Sequence, residues 1–391
     1  MLHPGQVREH PDVIRAGLRR RHAGVEAEDA LDQWLLLDAA RRRAATRHDA
    51  LVQALHQQRA SASTHDLRAL QLELRQAKEE LQLQETRSRH MLLRLPNMPD
   101  ERVPPGRGPG HSLELRRVGQ PPDPSFAPKR HDQLAVALGI LDLSRATHLS
   151  GPRFPLLMGA GARLARLLAA FMLDQHTKSG YIEISPPHLL KAATLEGTGH
   201  LPLHEDELYS LPRDGLWLSP TAEAQLVALH AGETIRASDL PLAYTACTPA
   251  FRREVGGARS TTPGLLRQHQ FDKVELVRIS APEDSDAAFD RLVLDAENIL
   301  QSLDLPYRLV ALPSGDLPFA SRRTYDLEVW MPAQRSYVEI SSISDCGTFQ
   351  SRRLNLRYRA SARDQARFPH SLNGSALAIG RTLAAVLENG Q

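Results

Sequence analysis

Cysteine is scarce in this 391-residue chain, which carries two, Cys247 and Cys346. Two thiols exclude a disulfide framework and a cysteine-rich zinc site. Their expected role is as small buried thiols in a reducing compartment. Long apolar runs are missing too: none reaches the roughly 18 residues of a membrane span. The opening Met-Leu-His-Pro-Gly-Gln-Val-Arg lacks a signal-peptide core. A cytoplasmic protein with no membrane partner is expected. Net charge is small, +2, which permits a nucleic-acid partner without arguing for one. With 41% hydrophobic and 24% charged residues the chain reads as globular, and its length leaves room for two or three domains.

Glycine and proline are almost absent from 28–95, a stretch rich in Ala, Leu, Gln, Glu and Arg. Its second half has a 3-4 spacing: Leu67, Leu70, Leu74, Ala77, Leu81, Gln84, Ser88, Met91, Leu95. The first half is looser, because Arg41 and His48 interrupt Trp34, Leu37, Ala44, Leu51 and Leu55. Between them, the Ser, Thr and Asp residues of 59–66 favour a turn and a helix cap. The pattern predicts an antiparallel coiled coil with legs of roughly 40 Å. Arg41, Arg42, Arg43, Arg47, Arg59, Arg68, Arg75, Lys78, Arg87 and Arg89 lie on its faces. Such an arm suits either a solvated dimerisation rod or a grip on an RNA backbone. Residues 1–27 read as a short helical lead-in, with Pro11 at a first helical turn. A Pro/Gly-rich segment at 94–110 marks the domain boundary. This divides the chain into an N-terminal domain at 1–103 and a second at 104–391.

Residues 251–275 place two β-type runs around a Gly/Ser/Thr/Pro loop, as a hairpin would. Strand alternation puts Arg252 and Glu254 on one face of the first arm, and Arg267, Phe271 and Glu275 on one face of the second. Guanidinium forks match phosphate oxygens, an aromatic face stacks on a base, and a carboxylate holds an ammonium group. The same residues also suit a salt-bridged hairpin with a core Phe.

Phe-Arg-x-Glu followed by Gly-Leu-x-Arg-x-His-Gln-Phe-x-Lys-Val-Glu resembles motif 2 of class II aminoacyl-tRNA synthetases in the form found in seryl-tRNA synthetases. A helix at 160–177 with a strand over 180–187 resembles motif 1, the dimer interface. His370 to Asn389, with Arg381 near a helix start, resembles motif 3. Thr198-Gly-His-Leu-Pro202 and Thr221-Ala-Glu223 resemble further family segments, and Tyr325–Met331 with Arg335–Ser342 read as paired strands.

The resemblance covers nearly the whole chain. It implies an α+β fold, with an antiparallel sheet flanked by helices and a helical arm in front, working as a homodimer. The implied activity is serine–tRNA ligation. Serine carboxylate attacks the α-phosphorus of ATP, and the seryl group then passes to serine tRNA, held by the arm; the family also charges selenocysteine tRNA where one exists. Implied ATP contacts are Arg252, Arg253, Glu254, Arg267, Phe271, Glu339, Ile340, Ser341, Ser342 and Arg381, of which Arg252, Glu254 and Arg381 are the catalytic set. Implied serine contacts are Thr221, Ala222, Glu223, Arg252, Glu275, Asn373 and Ser375. Glu339 and Ser342 are the implied Mg²⁺ ligands, and zinc is not expected.

Some positions depart from the family pattern. The motif 2 loop reads Arg-Ser-Thr-Thr-Pro-Gly at 259–264, Asp345 stands for Asn, Ser371 and Ala376 stand for Thr and Gly, Gly390 stands for an aromatic residue, and the chain stops at Gln391. Adenylation residues survive while the tRNA-facing loop has drifted. That leaves two alternatives: a serine-activating paralogue in a specialised or resistance pathway, and an inactive RNA-binding homologue.

Overall fold

The computed structural model describes residues 1–58, 64–255 and 264–391. Of the turn and helix cap expected at 59–66, residues 59–63, Arg59 included, lie outside the described residues, as do 259–263 of the motif 2 loop, while 64–66 already belong to a helix. Two compact units divide at Met98 and Pro99.

The first unit holds α1 (Pro4–Glu9), α2 (Pro11–Arg20), α3 (Val25–Gln58) and α4 (Thr64–Leu92). At 1.5 Å per residue the two long helices span about 51 and 44 Å, longer than the spacing suggested. Every described position of the second-leg stripe, from Leu67 to Leu95, is sheltered, including Gln84 and Ser88. The apparent breaks in the first leg have a physical cause. Arg41 is half-buried and folds onto Asp38, whose carboxylate is buried beneath it at 3.0 Å. Asp38 also takes Arg8 at 3.0 Å and Arg42 at 3.3 Å; burial works to raise its carboxyl, but Arg41 and Arg8 hold it below the usual range. Val7, Ile14, Leu18, Leu31, Trp34, Leu92, Leu93 and Leu95 form the core at the base.

The second unit opens with β1 (Leu113–Val118), α5 (His131–Ala137), α6 (Leu143–Ser150), α7 (Ala160–Lys178) and β2 (Ile182–Glu183). Next come β3 (Leu189–Lys191), α8 (Ala192–Thr198), β4 (Ser210–Leu211), β5 (Leu216–Leu218), α9 (Ala222–Ala228) and β6 (Thr234–Arg236). Then follow β7 (Leu242–Phe251), β8 (Gln270–Ser280), α10 (Ser285–Ser302), β9 (Tyr307–Ala311), β10 (Arg323–Met331) and β11 (Ser336–Asp345). The chain continues through α11 (Phe349–Leu354), β12 (Arg357–Arg359), β13 (His370–Ala378) and α12 (Ile379–Asn389).

Eight strands form one sheet in the order β1-β9-β10-β11-β13-β8-β7-β2. All neighbours pair antiparallel except β2, which runs parallel to β7. The strand predicted over 180–187 is shorter than expected: Pro186 and Pro187 supply no ladder donors, and pairing stops at Glu183. Alternation along β8 organises the rest. Val274 and Leu276 enter a core shared with Leu168 and Met172 of α7, Phe289, Leu292 and Ile299 of α10, and Leu383 to Ala385 of α12. Phe271, Lys273 and Glu275 therefore face the other way.

Candidate active site

On that second face, β7 presents Ala250 opposite Phe271, Thr248 opposite Lys273 and Ala246 opposite Glu275. The two alanines and a threonine leave room above the longer side chains. β13 brings Ser375 directly opposite Glu275, and Asn373 two positions along the same row.

The strand argument fails for the two arginines and for Glu254. β7 ends at Phe251 and β8 begins at Gln270, so Arg252, Glu254 and Arg267 lie beyond the paired strands. Glu254 takes a left-handed φ of 51°. Loop geometry nonetheless brings these residues together. The Arg252 guanidinium lies 5.5 Å from the Phe271 ring centroid, and its Nε donates to the Pro220 carbonyl at 3.2 Å. Arg267 reaches Glu254 at 3.6 Å. His269 ties the stem, with its carbonyl accepting from the Arg252 amide at 2.9 Å. Arg253 turns elsewhere: it is exposed and lies over the Tyr209 ring.

The acidic pocket begins at α9. Thr221 is its N-cap, accepting from the Glu223 amide at 3.3 Å, while its hydroxyl donates to Glu275 Oε2 at 2.9 Å. The cap and substrate-site readings of Thr221 are thus compatible in one side chain. Residue 223 retains some accessible surface, yet burial is the main influence on its carboxyl, followed by Glu275, and together they push it up to about 7. Gln350 of α11 donates to Glu223 Oε1 at 2.7 Å and is itself held by the Ser371 hydroxyl at 2.7 Å. Glu275 is also ion-paired to Lys273, and both side chains are nearly inaccessible. Burial and nearby Arg252 push His200 down to about 3, so its imidazole is neutral here. Ala222 is fully buried in the cluster that packs α9, backbone included.

Glu339 and Ser342 are three apart, which strict alternation would put on opposite faces. A β-bulge resolves this. Glu328 pairs with Glu339 and Leu327 with Ser341, so Ile340 is the extra residue and enters the core. Asp326, opposite Ser342, and Glu328, opposite Glu339, then share a face with both. Asp326 is buried, and its Oδ1 has no hydrogen-bond partner. Burial and the neighbouring Glu339 carboxylate raise its carboxyl well above the usual range. The Ser341 hydroxyl donates to the Ser375 carbonyl, joining β11 to β13.

Arg381 sits in the first turn of α12, where its charge opposes the helix dipole. Its guanidinium meets Glu339 at 3.1 Å, donates to the Glu339 carbonyl at 2.8 Å and to the Leu266 carbonyl at 3.1 Å. Two turns later Glu388 accepts from His131 Nδ1 at 2.8 Å, and His131 Nε2 accepts from the Leu265 amide at 3.1 Å. That backbone donor fixes the imidazole as its Nδ1–H tautomer. Helix α12 thus clamps the stem of the 251–275 segment from two points.

Sequence reasoning passed over four residues here. Lys273 lies in the same row as Phe271 and Glu275, so alternation could have found it. Asp326 required the strand register. Gln350 gave no local signal, since its hydrogen bonds reach residues far along the chain. His200 lies within the Thr198–Pro202 segment and bonds Thr198 at 2.9 Å, but from sequence that segment reads only as a turn.

Residues 209–390 match the family model of the tRNA synthetase class II core domain (G, H, P, S and T). A serine–tRNA ligase of Synechococcus sp. (strain JA-2-3B'a(2-13)) is 44% identical over 416 residues, covering 100% of this chain and 93% of the relative. The serine–tRNA ligase of Thermotoga neapolitana is 52% identical over 304 residues, 78% of this chain and 72% of the relative. Among solved structures, seryl-tRNA synthetase from Pyrococcus horikoshii complexed with ATP superposes with a TM-score of 0.90 at 30% identity, covering 100% of this chain and 94% of that one.

Proposed function

We infer the roles of these residues from the premise that this chain belongs to the serine–tRNA ligase family, given 44% identity to a relative along its whole length. Its reaction is the ATP-dependent activation of L-serine and transfer of the seryl group to tRNA. The observation that carries the residue-level reading is the single row Phe271–Lys273–Glu275, with Arg252 over Phe271 and Thr221 on Glu275.

In this reading adenine stacks on Phe271, with Glu254 on its edge, and Arg252, Arg267 and Arg381 meet the phosphates. Arg252 lies against the α-phosphate, where fixed positive charge stabilises the crowded transition state. Glu275 takes the serine ammonium; Glu223, Thr221, Asn373 and Ser375 surround the side-chain hydroxyl. A zinc ion has no part in this amine recognition. Serine carboxylate is already ionised, so the step needs positioning and charge stabilisation rather than a general base. The unpartnered Asp326 Oδ1 beside Glu339 and Ser342 suits Mg²⁺. When bound, that ion would neutralise phosphate charge.

The helical arm is the tRNA-binding element, through the exposed Arg42, Arg43, Arg47, Arg68, Arg75, Lys78, Arg87 and Arg89. Exposed Leu167 on α7 and Ile182 on the edge strand β2 support a homodimer. The two cysteine thiols, both pushed up by burial, suit a cytoplasmic setting.

Charging of serine tRNA tests the division of labour. Reversing Arg42, Arg43 and Arg47 to Glu should raise the tRNA KM about tenfold or more while serine-dependent ATP–pyrophosphate exchange holds. Equal loss of both activities would contradict it.

A further inference from the structure

The ammonium subsite already contains an ammonium. Lys273 Nζ is ion-paired to Glu275 Oε2, with only 9% of the lysine side chain and 3% of the glutamate exposed. Glu275 is the carboxylate to which the reading above gives the serine amine. Two cations cannot share its inner oxygen without repulsion in so dry a place.

We propose that Lys273 occupies the serine ammonium subsite in the empty enzyme and yields it to the substrate, its released Nζ then facing the junction of serine carboxylate and α-phosphate. This rests on the assignment of serine to the Glu275 pocket. Strand geometry supplies the destination. Lys273 lies one side chain, roughly 7 Å along the strand, from both Phe271 and Glu275 on the same face. It therefore stands midway between the residue that stacks the base and the residue that holds the amine. Ala378 and Thr248, both short side chains, flank it in register.

Charge matching favours the exchange. Before binding, Lys273 balances Glu275. Serine brings one ammonium and one carboxylate; if its ammonium takes Glu275, the freed lysine meets the carboxylate, which otherwise has only Arg252. Each charge then keeps a partner of opposite sign, and no buried ion is stranded. A substrate lacking the amine cannot make the exchange, so Lys273 also screens for amino acids.

Lys273→Met, which preserves length and bulk, tests this with two ligands measured separately: ATP alone, and a non-hydrolysable seryl-sulfamoyl adenosine. The variant should bind ATP within about twofold of wild type and lose about 30-fold in affinity for the seryl analogue, the order expected for a buried charge-assisted contact. Lys273→Arg should recover part of that loss. A purely structural lysine would shift both ligands together, and unchanged or tighter binding of the seryl analogue would overturn the proposal. If wild-type protein bound the alanyl analogue as tightly as the seryl one, the serine reading of the pocket would itself be wrong, and the exchange with it.

Discussion

Glu223 shows how burial sets the chemistry of one side chain. Its carboxyl is pushed from an ordinary 4.5 up to about 7, first by burial and then by Glu275. A carboxyl raised in the folded state binds its proton more tightly there than in the unfolded chain. Its contribution to stability is thus complete below about pH 4.5 and is lost as pH rises through about 7. Glu223→Gln, neutral throughout, should match wild type near pH 4 and exceed it by up to about 3 kcal/mol near pH 8. Urea unfolding at the two pH values measures this; a variant less stable at both would refute it. Locally Thr221 and Glu223 read equally well as a helix cap and a first-turn acid; the two acids of this pocket were singled out through the family resemblance that Thr-x-Glu and Lys-Val-Glu carry. Gln350 was not, since its hydrogen bonds to Glu223 and to the Thr198 carbonyl span 127 and 152 residues of chain.

Among elements, the helical arm was read almost position by position. A 3-4 stripe is a statement about which side chains share a face, and Gln84 and Ser88 sit on it as sheltered polar residues. Arg41 seemed to break the first leg only because Asp38, its buried partner, was not recognised. The strand faces were legible where pairing is regular, as for Phe271 and Glu275, and failed at the loop ends and at the Ile340 bulge. A bulge depends on what the neighbouring strand does, which no single segment encodes. β2 carries a prediction at this scale. It pairs on one side with β7 and exposes 57% of Ile182. If that edge joins two copies, Ile182→Arg should convert a species of twice the chain mass into one of chain mass in sedimentation, with unfolding midpoint little changed. Wild-type protein sedimenting at chain mass would remove the homodimer.

Across the whole molecule, the chain divides at Met98 and Pro99 into two compact units, and the proposed function gives recognition of a long polyanion to the first and small-molecule chemistry to the second. In the proposed reading the second unit holds its two small ligands along the strand row Phe271–Lys273–Glu275, and this would separate their energetics: a change at Glu275 would touch the amino acid, while Phe271 and Arg252 would stay in place for the nucleotide. Serine-dependent ATP–pyrophosphate exchange on wild type and Glu275→Gln measures that separation directly. The account expects exchange with serine and not with alanine, and a rise of about 100-fold in the serine KM of the variant with the ATP KM within about twofold. Exchange as fast with alanine, or a parallel rise in both KM values, would contradict it.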